Sequence, residues 1–376
     1  MNLLDRYIMR AFLLGLLPVM VLLLILFGFQ ALAEELESVG EGLFTTFDAF
    51  MVVLNTMPRR ITELLPVSAL LGGLMGLGAM ASHQELIAAR AAGWSRPRIA
   101  RPILLVSIML AMVIFLAQTW VIPLTERQAN KLRAKTLLNT AVDHIGDVDF
   151  WARSGSNFVR VNQLRYGQLL YDVEIFVIEA QGRLSQLVEA RQAVAAGDND
   201  WMLSDVRVTT LDRLSSQVEQ REELIWPGLL SADQAAILMM PPETLAPGEL
   251  LRLIDYQREN GLDTQQYRII YWQQTSLLLS VVGMSLLALP LLLGSVRSIS
   301  AGQRVVIGGF IGVSFYLVQQ LSGHLASLFS LHPPSAILAP AVILLAAGIY
   351  AQFVDNIRRQ PVRGEEKSQP SGPPAP

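Results

Sequence analysis

The chain has few residues placed to do covalent chemistry or to hydrolyse a nucleotide. It has no cysteines, which excludes thiol catalysis, disulfide frameworks and Cys-ligated metal centres. Its four histidines lie in separate segments without a His-Glu-x-x-His arrangement, so no metal site is expected. An ATP-binding loop would end in Gly-Lys-Ser/Thr, but no glycine precedes Lys131, Lys135 or Lys367, the only three lysines. The sequence therefore predicts a protein that is not an enzyme and holds no cofactor.

Two other patterns look catalytic but fit structural roles better. Gly76-Leu-Gly-Ala-Met-Ala81 matches a loose dinucleotide-binding pattern, yet it lies inside an apolar stretch with no strand before it. Ser314 and His324 are ten residues apart on one predicted helix, about 15 Å by helical rise and too far apart for a nucleophile and its base. Glycines with small-xxx-small spacing instead favour close helix packing: Gly72, Gly76, Gly308 and Gly312.

A polar segment from Ser82 to Gly93 is the first candidate functional element. We expect a short helix with Ser82 as N-cap, Glu85 completing a capping box, and Gly93 ending it. Ser95-Arg-Pro97 then begins another helix, with proline in its first turn. Such an elbow is compact enough to enter a groove of a partner protein. Alternatively, it only turns the chain between two helices, and Glu85 only caps.

The elements around this segment indicate an α-helical membrane protein. The chain is 52% hydrophobic and 16% charged, with a mean hydropathy of +0.41. A spanning helix needs about 20 mostly apolar residues. Six stretches meet this requirement without any Asp, Glu, Lys or Arg, and we interpret the first as a retained anchor and not a signal peptide. The stretches are 12–33, 64–81, 103–122, 275–294, 305–325 and 335–354.

A domain of different composition separates the first three spans from the last three. Apolar and polar residues alternate in Asn157–Val161, Tyr171–Ile178 and Trp201–Val208, with turn sequences between these runs. Short strands with frequent turns predict a β-sandwich or β-jelly roll. The expected division is therefore spans one to three with the elbow (1–123), a β-domain with flanking helices (124–266), spans four to six (267–358) and a disordered tail (359–376).

Charge in the short loops predicts the orientation. With both termini in the cytoplasm, twelve Lys or Arg residues fall in cytoplasmic segments and two, Arg59 and Arg60, in short outer ones. This predicts a multi-pass membrane protein whose β-domain lies on the outer side of the membrane. The formal net charge of −3 gives no basic surface for nucleic acid, so nucleic-acid binding is not expected.

Short motifs follow one another in a fixed order over nearly the whole chain. They are Leu4-Asp-Arg-Tyr-Ile8, Leu65-Pro-Val-Ser-Ala-Leu-Leu-Gly72, Leu77-Gly-x-Met-Ala81 followed by Glu85-Leu, Ala91-Ala-Gly-Trp-Ser95, Val296-Arg-Ser-Ile299, Gly302-Gln-Arg-Val-Val306 and Pro333-Pro334. Together they resemble the LptF/LptG permease family, the membrane subunits of the lipopolysaccharide exporter of Gram-negative bacteria, and most of all its LptG branch. The resemblance implies a bacterial inner-membrane protein with a periplasmic β-domain.

The resemblance implies a permease subunit of an ATP-binding-cassette (ABC) transporter that extracts lipopolysaccharide and passes it toward the outer membrane. The implied partners are an LptF-like permease, a dimeric LptB-like ATPase that binds ATP and magnesium, an LptC-like single-span protein and an LptA-like periplasmic bridge. The chain itself would then need no cofactor.

The resemblance also implies site residues. Glu85 and its neighbours His83, Leu86 and Arg90 would contact the ATPase. Candidate acyl-chain contacts at lateral gates are Phe29, Leu32, Phe315 and Leu328, with lipid-facing side chains as the alternative. Candidate phosphate contacts are Lys131, Arg133 and Lys135, with solvated helix charges as the alternative. Where family members carry basic residues after span one, this chain has Glu34, Glu35 and Glu37.

Two interpretations stay open from the residues alone. Gln319, Gln320 and His324 in span five indicate either a protein interface or a polar cavity. A membrane insertase or chaperone, whose β-domain handles polypeptide, is the alternative function. It needs no ATPase and would tolerate loss of the Glu85 side chain.

Overall fold

The computed structural model describes most of the chain in ten ranges, with helices on either side of a β-sheet. The ranges are 2–40, 44–137, 150–154, 157–165, 169–179, 183–196, 200–211, 215–227, 241–293 and 301–358. The tail 359–376, predicted to be disordered, and the motif at 296–299 lie outside the described residues.

Six helices in the described ranges are long and apolar enough to cross a membrane, three on each side of the sheet in sequence, which confirms the predicted layout. The third span begins at Arg96, passes through a π-helical turn at Ala117–Val121 and continues as helix beyond residue 122. The predicted domain boundary at 124 therefore lies inside this continuous helix. The helices are α1 (Leu3–Glu37), α2 (Thr46–Ser82), α3 (Glu85–Ala91), α4 (Arg96–Leu116), α5 (Ile122–Leu137), α6 (Pro247–Glu259), α7 (Gln265–Leu293), α8 (Ala301–Leu328) and α9 (Pro333–Arg358).

Polar residues fix where the first two long helices begin. The Asp5 carboxylate accepts a hydrogen bond from the Asn2 backbone N–H at 2.9 Å. Thr45 and Asp48 form a capping box, in which each side chain accepts from the other residue's backbone N–H. A hydrocarbon environment requires every backbone group within a span to be paired internally, so uninterrupted apolar sequence continues as helix between such caps.

Helix α2 lies at the centre of the helical region, and α8 lies at its periphery. In the most apolar part of each helix, 67% of the residues of α2 are buried, but only 11% of those of α8 are. The main apolar cluster joins α1, α2, α4 and α7 through fully buried side chains such as Phe12, Leu70, Ile103 and Met284. A large part of the α8 surface is therefore left for lipid or another protein to cover.

Glycines let three helices approach closely, as their spacing predicts. A Cβ atom on Gly15 of α1 would lie 2.2 Å from the Gly72 carbonyl oxygen of α2, and Gly76 is equally crowded by α1. On α8, a Cβ atom would lie 2.3 Å from an α2 side chain at Gly308 and 2.8 Å at Gly312. The four glycines singled out in the sequence are therefore packing residues.

The inserted domain is an antiparallel sheet of six strands in sequence order: β1 (Phe150–Ser154), β2 (Asn157–Arg165), β3 (Leu169–Ile178), β4 (Leu184–Ala195), β5 (Trp201–Leu211) and β6 (Ser216–Trp226). The predicted inserted β-domain is thereby confirmed. Each described strand pairs with its sequence neighbour across a short connection, so these strands form one up-and-down antiparallel sheet. An apolar cluster that includes Ile175, Val188, Trp201 and Leu203 is buried.

Helix α6 joins this sheet to the membrane helices. Tyr256 packs against the apolar cluster of the sheet and also against a cluster that includes Leu250 of α6 and Ile270 of α7. Glu249 accepts the Ala246 backbone N–H at 3.0 Å and forms an ion pair with Arg127 of α5. The sheet is thus connected through α6 to α7 by apolar contacts and to α5 by an ion pair.

Candidate functional site

The elbow between the second and third spans begins differently from its sequence prediction. Helix α2 includes Ser82, whose hydroxyl donates to the Ala79 carbonyl at 2.8 Å, so Ser82 is not an N-cap. Gln84 turns the chain with a φ of +61°, and Glu85 is the first residue of α3, not its third. The predicted capping box was wrong because the apolar helix before it continues through Ser82. The Glu85 carboxylate is therefore available for contacts outside its own helix.

The second half of the elbow follows the prediction closely. Gly93 has a φ of +90°, and its N–H donates to the Arg90 carbonyl at 3.1 Å. The Trp94 N–H donates to the Ala89 carbonyl at 3.1 Å, which completes a Schellman motif that ends α3. Helix α4 starts directly after Ser95, and the Arg98 guanidinium lies 4.3 Å from the centroid of the Trp94 ring. The elbow is consequently compact.

The four predicted coupling residues have different surroundings. The Tyr7 hydroxyl of α1 donates to Glu85 Oε1 at 3.1 Å, whereas Glu85 Oε2 is buried without a hydrogen-bond partner. His83 is exposed, and Arg90 is half-buried. Leu86 is 0% exposed and belongs to the main apolar cluster, so the prediction of a surface contact there is corrected. Its side chain anchors α3 to the helical region instead.

The predicted phosphate-binding residues on α5 also differ from one another. Arg133 forms an ion pair and hydrogen bonds with Glu35 at the end of α1, and its guanidinium also donates to Asn130 at 3.2 Å. Lys131 is exposed, and the Lys135 side chain lies outside the described residues. The acidic cluster after span one is therefore partly neutralised by the helix after span three. Sequence reasoning missed this pair because 98 positions separate its members.

A polar cavity of about 600 Å³ lies among α2, α7 and α8. Gln319, Gln320 and His324 line it, which favours the polar-cavity interpretation of these residues. Gln319 also donates to the Ser276 hydroxyl at 2.9 Å, and the Oε1 atoms of Gln319 and Gln274 are buried without a hydrogen-bond partner. Such atoms accept hydrogen bonds from water or from a bound polar group.

An arginine that was not predicted as a site residue also lines this cavity. The Arg59 Nε atom lies 3.0 Å from Glu126 Oε1 of α5 and 4.0 Å from Glu63 Oε1. The Glu126 side chain is only 3% exposed, so this ion pair joins α2 to α5 inside the protein. Arg59 and Arg60, counted in the sequence as loop charges, lie within α2. The sequence feature that could have indicated this site is the pair of arginines beside an apolar run.

The four predicted acyl-chain contacts lie on two helices that both pack against α2. Phe29 of α1 and Leu328 of α8 are 74% and 78% exposed. Leu32 is half-buried, and Phe315 is half-buried and lines the polar cavity. Phe315 therefore lies at a cavity wall, whereas Phe29 and Leu328 present apolar surface to the surroundings of the chain.

The fold and these sites define a class: a six-span membrane protein with an inserted β-domain, a polar cavity among its helices and a compact elbow between spans. The family model described as lipopolysaccharide export system permease LptF/LptG matches residues 6–352. The chain belongs to that family, so it is a multi-pass permease subunit.

Similar proteins support the same assignment. The chain is 30% identical over 345 residues to the lipopolysaccharide export system permease protein LptG of Haemophilus influenzae, covering 92% of this chain and 96% of the relative. It is 27% identical to LptG of Escherichia coli K12, covering 90% and 94%. Similarity to LptF of the same strain is weaker, 23% over 54% of this chain and 60% of the relative.

Proposed function

We propose that the chain is the LptG-like permease subunit of an ABC transporter that extracts lipopolysaccharide from the bacterial inner membrane and passes it toward the outer membrane. The observation that carries this proposal is the family match across residues 6–352, which includes all six spans, the elbow and the β-domain. The LptG relatives match over nearly their full length, whereas the LptF relatives match over about 60% of theirs.

The energy for transport would come from a separate subunit. The sequence contains no Gly-Lys-Ser/Thr loop, so ATP and magnesium would bind a dimeric LptB-like ATPase and not this chain. The elbow is the proposed docking element, with His83, Glu85 and Arg90 as contacts. The buried Leu86 would keep α3 attached to the membrane helices during each cycle.

The cargo would pass along the surfaces formed by α1, α2 and α8. The polar cavity and Arg59 suit the polar part of the lipid, and Phe29, Leu32, Phe315 and Leu328 suit its acyl chains. Lys131 is an exposed cation available for phosphate, and Lys135 is proposed from the sequence alone. Arg133 would serve both as a partner of Glu35 and as a phosphate contact.

The orientation of the chain in the membrane and its partner proteins are part of the same proposal. The excess of basic residues on the elbow side supports cytoplasmic termini and a periplasmic β-domain. An LptF-like permease would cover the apolar faces of α1 and α8, which are exposed in the single chain. The β-domain would contribute to a periplasmic route formed with LptC-like and LptA-like proteins.

Purification of the tagged chain from its native membrane in mild detergent tests this proposal. Mass spectrometry of the purified material should identify an ABC ATPase, a second six-span permease and lipopolysaccharide, all absent when an unrelated tagged membrane protein is purified. Recovery of unfolded polypeptides without an ATPase would contradict the proposal and favour an insertase.

A further inference from the structure

The hydroxyl of Tyr7 connects α1 directly to the elbow. It donates a hydrogen bond of 3.1 Å to Glu85 Oε1, across 78 positions of sequence. Tyr7 belongs to the N-terminal motif Leu4-Asp-Arg-Tyr-Ile8. Tyr7 is 48% exposed, so burial does not account for a tyrosine at this position.

We propose that Tyr7 is a positioning residue that holds the Glu85 carboxylate and carries displacement of α3 to α1. This inference rests on the proposed function, because it takes α3 to be the element moved by the ATPase. Tyr7 itself needs no contact with ATP, lipid or the partner subunit.

The position of α3 depends on a small number of contacts, of which the Tyr7 hydrogen bond is one. A helix of seven residues is too short to be stable alone, so contacts with the rest of the chain determine its position. Leu86 supplies an apolar attachment from the side of α3 that faces the main cluster. The Tyr7 hydrogen bond supplies a directional attachment at the first residue of α3, where Glu85 lies.

The chemistry of the pair suits the transmission of movement. A hydroxyl that donates to an ionised carboxylate forms a stronger hydrogen bond than two neutral groups do. In the single chain, solvent reaches this bond and weakens it. A partner docked over α3 would exclude water from the pair and strengthen the bond during coupling.

Helix α1 is suited to respond to such movement. It is one helix from Leu3 to Glu37, so Tyr7 near its start and Phe29 near its end belong to the same element. Toward its other end it carries a largely exposed apolar face that includes Leu22, Ile25 and Phe29. A displacement received at Tyr7 would therefore shift the surface proposed to form one side of a lipid gate.

The test is Tyr7→Phe in the full complex reconstituted in proteoliposomes, measured as lipopolysaccharide released per ATP hydrolysed. Loss of one hydrogen bond to a carboxylate should lower this ratio by about threefold to tenfold. Hydrolysis by the partner should remain within about twofold, because its active site is untouched. The matched control is Tyr350→Phe, since Tyr350 of α9 is 68% exposed. This control should leave the ratio unchanged.

A double-mutant comparison separates positioning from a local structural role. If Tyr7 acts through Glu85, Tyr7→Phe should lower the ratio no further in a Glu85→Ala background. A normal ratio in Tyr7→Phe, or a full additional loss in the Glu85→Ala background, would overturn the inference. Failure of the unmodified complex to release lipid with ATP would instead contradict the proposed function, whatever Tyr7 does.

Discussion

At the scale of single residues, polar side chains from distant parts of the sequence meet at the ends of the membrane helices. Tyr7 meets Glu85, and Arg133 meets Glu35. Glu85 could be proposed as a coupling residue from the sequence, because its local sequence resembles a known motif. The pairs were not predictable, because the sequence of one chain does not say which helix ends are neighbours.

The pair of Arg133 and Glu35 gives a prediction at this scale. Alanine at either position should lower the free energy of unfolding by about 1 kcal/mol or less, as expected for a partly exposed ion pair. The double variant should be no less stable than either single variant. Thermal unfolding in detergent, with Glu37→Ala as the control in the same acidic cluster, measures this. Fully additive losses would show that the two side chains do not stabilise each other.

At the scale of elements, close contact between α1 and α2 depends on glycine on both helices. The spacing of Gly72 and Gly76 was visible in the sequence, but the partner helix was not. Ala11 and Gly15 of α1 have the same spacing and were available as a signal. Local spacing indicates that a helix has a flat face, whereas tertiary packing determines what that face contacts.

The variant Gly15→Ala tests this contact. Its Cβ atom would lie 2.2 Å from the Gly72 carbonyl oxygen, so the helix backbones would have to separate. The expected loss is about 1–3 kcal/mol in the free energy of unfolding, as for other overpacked sites. Gly309→Ala on α8 is the control, because nothing lies within 4 Å of its added Cβ. Equal thermal stability of the two variants would rule out the close contact.

At the scale of the whole molecule, the six spans and the inserted β-domain were predictable because both rest on local patterns. Uninterrupted apolar runs identify spans, and alternating residues identify strands. The peripheral position of α8 depends on long-range packing, which such patterns do not encode. The exposed faces of α1 and α8 are consistent with a subunit completed by another protein.

We propose that ATP hydrolysis in a partner drives lipopolysaccharide export through this chain. The most direct measurement reconstitutes the chain with an LptF-like permease and an LptB-like ATPase in proteoliposomes and follows lipopolysaccharide transfer to a soluble acceptor. Transfer should require ATP and fall by about tenfold with Glu85→Ala, as for a typical coupling free energy between two sites. Transfer that proceeds without ATP, or that is unchanged by Glu85→Ala, would show that the export is not driven by a partner ATPase through the elbow.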